Sequence, residues 1–339
     1  MPVTLKKLAL EAGVSIATAS LALNGSKEVS PQTTVRLQSL ARKYDYHPNQ
    51  IARTLAGGAS MLVGVLIDSL APPVQFRLLA LIEKLLSQHG YKTMIGEVHD
   101  DVEQSYVLCQ TFRQYGVDGL LVLSHDYPQQ EKRFQALFRN SPNTIFIGRP
   151  RLSQASYIDI DRSEAIHEAL LTLSKNGYQR TGLLCESSAF LSGQSKISAF
   201  LKTQRQLGVS APESLICHLD SRTEFSYQDE LLREWIQTGA IDSLLLQNDI
   251  HAAKLCKFLQ RNGISIPEDF GLVGADNDSF CQYCSPELSS IDDALDLQAF
   301  HAVKLLMENT KEKQPRITQI VKVRSKFIPR ESSSRIQGK

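Results

Sequence analysis

Two rhythms of apolar and polar residues divide this chain near Gly58. Before it, Leu5, Leu8, Ala9 and Ala12 recur at helical spacing, and Gly13 stands where a helix must stop and the backbone turn sharply. Ser15 then reads as an N-cap for a second helix, over about Ile16–Leu23, that ends at Asn24-Gly25. Small Ala9, Ala12, Ala19 and Ala22 let the two helices cross closely. Ser30-Pro31 opens a third helix to about Tyr44, with Val35, Leu37 and Leu40 as its apolar face, and Val14, Ala19, Val29 and Tyr46 complete a three-helix core. Two short helices joined by about three residues form a helix-turn-helix, the geometry that lays its second helix in a DNA major groove; an ordinary helical hairpin shares the pattern. Between His47 and Gly58 lies a further helical stretch, bounded by proline and glycine. So short a helix is unstable alone in water and is expected to order with a partner.

From Leu62 onward, short apolar runs alternate with helical stretches, the signature of a parallel α/β architecture. Strands are predicted at Leu62–Ile67, Lys92–Val98, Gly119–Ser124, Thr144–Ile147, Thr181–Cys185, Leu215–Leu219, Ser243–Gln247 and Gly271–Ala275. Helices are predicted near Phe76–His89, Val102–Tyr115, Gln130–Arg139, Ser163–Lys175, Ser195–Gln206, Ser226–Thr238 and Ala252–Asn262. Gly90, Gly116, Gly177, Gly208, Gly239 and Gly263 each follow a helix as left-handed terminators. The repeat is long enough for two doubly wound lobes, with crossings expected near Ile147–Gly148, Gly274–Asp276 and Ile317–Phe327.

At 339 residues and 42% hydrophobic content, the chain supports two or three folding units with a sizeable core. The net charge of +1 is unevenly placed: residues 1–60 carry seven basic and three acidic side chains, +4, and the remainder carries −3. A modestly basic head on a slightly acidic body suits a DNA reader joined to a non-DNA domain. There is neither a membrane-spanning apolar run nor a signal-like apolar segment at the N-terminus, so a cytoplasmic location is expected. Six scattered cysteines are expected to be free, and Cys281-Gln-Tyr-Cys284 lacks a second pair or a nearby His to complete a metal site. No metal or cofactor is expected.

Head, linker and body together resemble transcriptional regulators of the LacI/GalR (lac repressor) family, over essentially residues 3–330. The matching stretches are Thr4-Leu5-Lys6 to Asn24-Gly25, Tyr46-His47-Pro48-Asn49 to Leu55-Ala56-Gly57, and Gly116-Val117-Asp118-Gly119. Further on are Gln247-Asn248-Asp249, Ile266-Pro267-Glu268-Asp269 to Val273-Gly274-Ala275-Asp276, and Leu288-Ser289-Ser290-Ile291. Their order and spacing carry the resemblance. It implies a helix-turn-helix head (1–46), a hinge helix and linker (47–60), a two-lobed body resembling periplasmic sugar-binding proteins (61–330) and a flexible tail (331–339).

Thr4, Ser15, Thr18, Ser20, Asn24, Ser30 and Thr33 bear short polar side chains suited to phosphate contact; capping alone explains Ser15 and Ser30 equally well, and the roles coexist. By resemblance, Leu5 joins this DNA-contacting set and base readout falls to Ile16, Ala17 and Leu21, with Asn24 flanking. Leu21 stands where other members place a polar or basic reader, so apolar readout of a thymine methyl is expected. The resemblance also implies that hinge residues Asn49, Ala52 and Leu55 enter the minor groove, with Leu55 wedged between base pairs.

In α/β lobes, ligands bind beyond the carboxyl ends of strands, which directs attention to Asp68, Asn248, Asp249 and Asp276 as partners for hydroxyl groups. Asp249 reads equally as a helix cap. Phe76 joins them by resemblance, and Lys196 occupies the place of a ligand-gripping arginine. Gly148-Arg149 stands where sugar-binding members often carry an acid, which argues against a simple sugar. The expected protein is a dimeric repressor of a palindromic double-stranded operator, released by a small polar effector; activation by a corepressor is the alternative. The short polar tail Arg330–Lys339 has no heptads to support a tetramer. A transporter's solute-binding protein should lack the head. An α/β enzyme should show a phosphate loop, a nucleophile elbow or a metal-binding His pair, and none is present.

Overall fold

The structure is a computed structural model that describes residues 3–23, 25–26, 28–47, 58–99, 101–123, 130–138, 143–219, 230–311 and 318–335. It divides into two compact units, Met1–Ser60 and Met61–Lys339. In the first, α1 (Leu5–Ala12), α2 (Ile16–Leu23) and α3 (Pro31–Lys43) pack about Leu8, Ala9, Ala12, Ala19, Ala22 and Leu37. Thr4, Ser15 and Ser30 cap the three helices, accepting from the amides of Lys7, Thr18 and Thr33 at 3.4, 2.9 and 3.2 Å. Gly13 closes α1 in the left-handed region, with φ +65°. Val35, expected on the apolar face of the third helix, is instead exposed. The buried stripe of α3 is narrower than its hydrophobic sequence, because alanines on the facing helices fill the space.

The second unit holds two sheets. The first has the order β11-β5-β4-β3-β1-β2, all parallel, from β1 (Leu62–Ile67), β2 (Lys92–Glu97), β3 (Gly119–Leu123), β4 (Thr144–Ile147), β5 (Ser156–Asp161) and β11 (Ile320–Arg324). The second has the order β12-β10-β9-β8-β6-β7, from β6 (Thr181–Glu186), β7 (Ile216–Leu219), β8 (Ser243–Leu246), β9 (Gly271–Ala275), β10 (Ser289–Asp292) and β12 (Lys326–Ile328), with β12 antiparallel. Helices α4 (Pro73–Gln88), α5 (Val102–Gln114), α6 (Glu131–Phe138) and α11 (Leu295–Lys311) cover the first sheet. Around the second lie α7 (Ser163–Lys175), α8 (Leu191–Gln206), α9 (Glu230–Gln237) and α10 (Asp249–Arg261). The six helix-terminating glycines all take positive φ, as their positions predicted.

Several boundaries differ from expectation. Strands β5 and β10 and helix α11 were not anticipated, because both strands are short and carry serine and aspartate that only tertiary partners satisfy. α8 begins a turn early, at Leu191, and α4 begins at Pro73. Neither start has a side-chain cap to announce it. The chain crosses between lobes at Asp161–Ser163, Asp292–Leu295 and Arg324–Lys326, rather than at Ile147–Gly148 or Gly274–Asp276; the third crossing falls within the expected Ile317–Phe327. Residues 331–335 are not a free tail: Glu331–Ser333 forms a 3-10 turn with Ser332 and Ser333 buried, and Arg335 lies over the Tyr178 ring.

One carboxylate ties the three crossings together. Asp293, 4% exposed on the second, accepts from Arg162 Nε on the first at 3.0 Å, with a further bond from the same guanidinium. Its other oxygen accepts from Ser325 Oγ on the third at 2.6 Å, and the Ser325 amide donates to the Asp161 carbonyl at 3.0 Å. Such a pair is expensive to break, because the survivor keeps an uncompensated buried charge. Asp293→Ala is therefore expected to cost about 3–5 kcal/mol in denaturant unfolding. A loss below about 1 kcal/mol, the size of an exposed pair, would show that the crossings hold without it.

Candidate DNA-reading head and effector cleft

On α2 the side chains expected to read bases point outward. Ile16 and Leu21 are 49% and 40% exposed, and Ala17 is exposed beside them, while Ala19 and Ala22 hold the opposite face against α1 and α3. Three apolar side chains facing solvent on an otherwise well-packed helix form a surface suited to thymine methyls. Around them are Ser15, exposed, and Thr18 and Ser20, half-buried; Ser15 Oγ and Thr18 Oγ1 lie 2.8 Å apart. Ser30 and Thr33 repeat that arrangement at the start of α3, also at 2.8 Å. Thr4 is exposed and Leu5 half-buried at the start of α1, and Leu5 packs against the head core. Asn24 and the hinge residues Asn49, Ala52 and Leu55 lie outside the described residues.

The body brings some of the expected effector residues together and redirects others. Asp276 follows β9 at the lobe interface, in a loop where Asp276 and Asn277 take φ of 96° and 46°. Arg77 of α4, in the opposite lobe, donates to the carbonyls of both at 3.1 Å and to Asp278 Oδ1 at 2.9 Å, holding the strained backbone in place. Burial, reinforced by nearby Asp293, Asp249 and Asp278 and opposed by Lys196, pushes the Asp276 carboxyl up to about 8. At neutral pH it is largely protonated and can donate as well as accept.

Asp249 has no exposed surface. Its oxygens accept from Ser290 Oγ and the Asp278 amide, each at 2.7 Å, and Gly274 leaves the room it needs, since a Cβ there would strike Asp249 Oδ1. It is a buried clamp between α10, β10 and the Asp276 loop, and the cap of α10 is Asn248, which accepts from the His251 amide at 2.9 Å. Lys196 is likewise engaged. Its ammonium donates to Gln247 Oε1 at 3.0 Å and lies 3.8 Å from Glu186, which also binds Ser192 and Gln247. Burial alone would raise the Glu186 carboxyl; Lys196, with Ser192, outweighs it and holds the group low. Asp68 is half-buried at the end of β1. Phe76, 62% exposed, lies in a separate groove with Leu81, Leu297, Asp292 and Lys326, and does not line the interlobe cavity.

A cavity of about 370 Å³ opens between the lobes beside the first crossing, within the size range of small-molecule sites. Its wall includes Arg149, Asp159, Asp161, Arg162, Ser192 and Lys322, and none of the six expected effector residues. The available signal was Gly148-Arg149, directly after β4. Among the described residues no group of His, Cys, Asp or Glu is arranged to hold a metal, and no helix is long and apolar enough to cross a membrane. The cysteines are free. Burial pushes the Cys109 and Cys185 thiols up to about 12, which leaves them unreactive as nucleophiles.

A three-helix head with an outward reading helix, carried by a chain whose body has two lobes and an interlobe cavity, defines a DNA-binding regulator built on a ligand-binding scaffold. Comparison with known proteins agrees. Residues 4–49 match the bacterial regulatory proteins of the lacI family, and residues 171–333 match the periplasmic binding protein-like domain. The ribose operon repressor of Bacillus subtilis is 27% identical over 97% of this chain and 98% of its own length. The transcriptional repressor PurR of Klebsiella pneumoniae is 23% identical over 97% and 96%. In structure, the lac repressor dimer bound to operator and an anti-inducer superposes with a TM-score of 0.82 at 21% identity, over 98% of this chain and 99% of that one. The CelR–cellobiose complex gives 0.70 at 21%, over 97% and 99%. The chain thus joins a region matching the lacI-family regulatory proteins to a body matching the periplasmic binding protein-like domain, and it aligns over nearly its whole length with transcriptional repressors, the pattern of a DNA-binding transcriptional regulator.

The raised Asp276 carboxyl has a measurable consequence. The folded chain keeps this proton up to about pH 8, whereas the unfolded chain releases it near its ordinary value of 3.8. Between those values the folded state binds more protons, so this group's contribution to stability is full below about pH 4 and is lost as pH rises toward 8. Asp276→Asn should remove that downward slope from the difference between variant and parent urea midpoints; parallel profiles across the window would show that Asp276 titrates normally.

Proposed function

We propose that this regulator is a homodimeric, cytoplasmic repressor that reads a palindromic operator through α2 and is released when a small polar metabolite binds between its lobes. The observation that carries the DNA reading is the outward apolar row Ile16, Ala17 and Leu21 on a helix whose other face is fully packed. The related repressors named above support the repressing role, and the lac repressor's operator-bound dimer supports assembly as a pair. Exposed Phe76 and Leu297, lining one groove with Asp292 and Lys326 beside the lobe crossings, offer apolar surface for a second copy. Thr4, Ser15, Thr18, Ser20, Ser30 and Thr33, with Leu5 and Asn24 beside them, position the head on phosphates. Asn49, Ala52 and Leu55 form the minor-groove hinge.

In the cleft, Asp276 accepts and donates to effector hydroxyls, with Asp68 and Asn248 at neighbouring strand ends. Regulation follows from linkage: an effector that binds one lobe arrangement more tightly weakens operator affinity by the same differential, typically ~1–3 kcal/mol.

Selection of bound sites from a random duplex library, at stated moderate salt, should enrich a palindrome with half-sites about one helical turn apart. No enrichment, with or without metabolite extract, would sink the proposal. In the same assay Leu21→Arg should change base preference at one position per half-site, toward guanine. An unchanged preference would remove Leu21 from readout. Leu55→Ala should weaken operator binding with the body's melting temperature intact; loss of both together would place Leu55 in body packing instead.

A further inference from the structure

Among the described residues, one cation lining the interlobe cavity has no partner. Arg162 is committed to Asp293, Lys322 lies 3.4 Å from Asp161, and Lys196, behind Arg162, is held by Glu186 and Gln247. Arg149 lines the same cavity and forms no hydrogen bond or ion pair with any described residue. Two acids share the wall. Asp161 accepts from the Ser163 amide at 3.1 Å besides pairing with Lys322, and Asp159 stands beside Lys322 in the β5–β11 register. Lys322 thus offsets Asp161, and among the described residues Asp159 and Arg149 are left on the wall as an uncommitted acid and an uncommitted cation. Facing the cavity as well is the first turn of α8, a 16-residue helix with no side-chain cap, whose dipole adds positive potential there.

Resting on the reading of the interlobe space as the effector site, we propose that the effector is an anion: a small hydroxylated molecule whose phosphoryl or carboxylate oxygens bind Arg149, with Asp159 accepting from its hydroxyls. A guanidinium presents paired donors that match both kinds of oxyanion, and such charge-assisted bonds are about twice as strong as neutral ones. An uncharged sugar leaves Arg149 without a counter-charge. The same residue therefore favours charged ligands over neutral ones.

The test is thermal melting of the full chain at constant ionic strength with inorganic phosphate, gluconate or sorbitol, each at roughly 10 mM, where a ligand of millimolar affinity stabilises measurably by mass action. Gluconate and sorbitol share a skeleton and differ in the carboxylate. Phosphate, gluconate or both should raise the melting temperature and sorbitol should not. A response to phosphate alone assigns a phosphoryl group, and a response to gluconate alone assigns a carboxylate. Arg149→Gln should weaken the response by about tenfold or more, as for loss of a charge-assisted pair, and Arg149→Lys should retain part of it. Arg149 is exposed and has no partner among the described residues, so the Gln variant should melt like its parent in buffer alone, which separates lost binding from lost folding.

An equal response in Arg149→Gln, an equal response to sorbitol and gluconate, or no response to either anion overturns the proposal. The duplex selection distinguishes this result from the wider reading. A selected palindrome with no anion response removes only the anion site, whereas an Arg149-dependent response with no selected DNA removes the regulator and leaves the site.

Discussion

Everything the body does depends on keeping three chain crossings in register, and a single buried carboxylate does most of that work. Asp293 receives Arg162 from one crossing and Ser325 from another, so the two lobes share one charged junction rather than three independent linkers. A charge in so dry a place is tolerable because both of its oxygens have donors and its partner is a guanidinium with several hydrogen bonds to give.

Around that junction, charges are sorted by whether the protein consumes them. Glu186 and Lys196 neutralise each other at the end of β6, Asp249 is spent on Ser290 and the Asp278 amide, and Lys322 is drawn to Asp161. Among the described residues, Arg149 and Asp159 are left unpaired on the cavity wall, while Asp276, largely protonated at neutral pH, lies outside that wall at the end of β9. Arg77 adds a second tie between lobes, from α4 to the carbonyls of two residues in the left-handed region. α4 also carries exposed Phe76 directly before Arg77, so one helix bears both the tie to the Asp276 loop and an apolar surface group.

The head works by a different economy. Alanines supply its packing, so the helices lie close and the larger apolar side chains of α2 are free to face outward. Hydroxyl caps at all three helix starts satisfy local amides while remaining at or near the surface, where phosphate oxygens would lie.

The chain's own order of residues determined what short-range rules govern. Helical spacing of Leu5, Leu8, Ala9 and Ala12, the caps Ser15 and Ser30, and glycine after each body helix all act within a few residues, and each stands where its local chemistry requires. The alternation of apolar runs and helices likewise settled the two-lobed α/β class. Only the tertiary structure decided which charges remain available. Arg162 and Asp293 are 131 positions apart, so no local pattern announces their pairing, and the first two crossings were missed with them. Lys196 matched a ligand-gripping position but is consumed by Glu186 and Gln247, while Arg149, a bare departure in the sequence, is left facing the cavity. Spacing along a chain encodes helices and turns because their bonds are local; a binding site is the remainder after distant charges have neutralised one another, and that remainder exists only once the chain has folded.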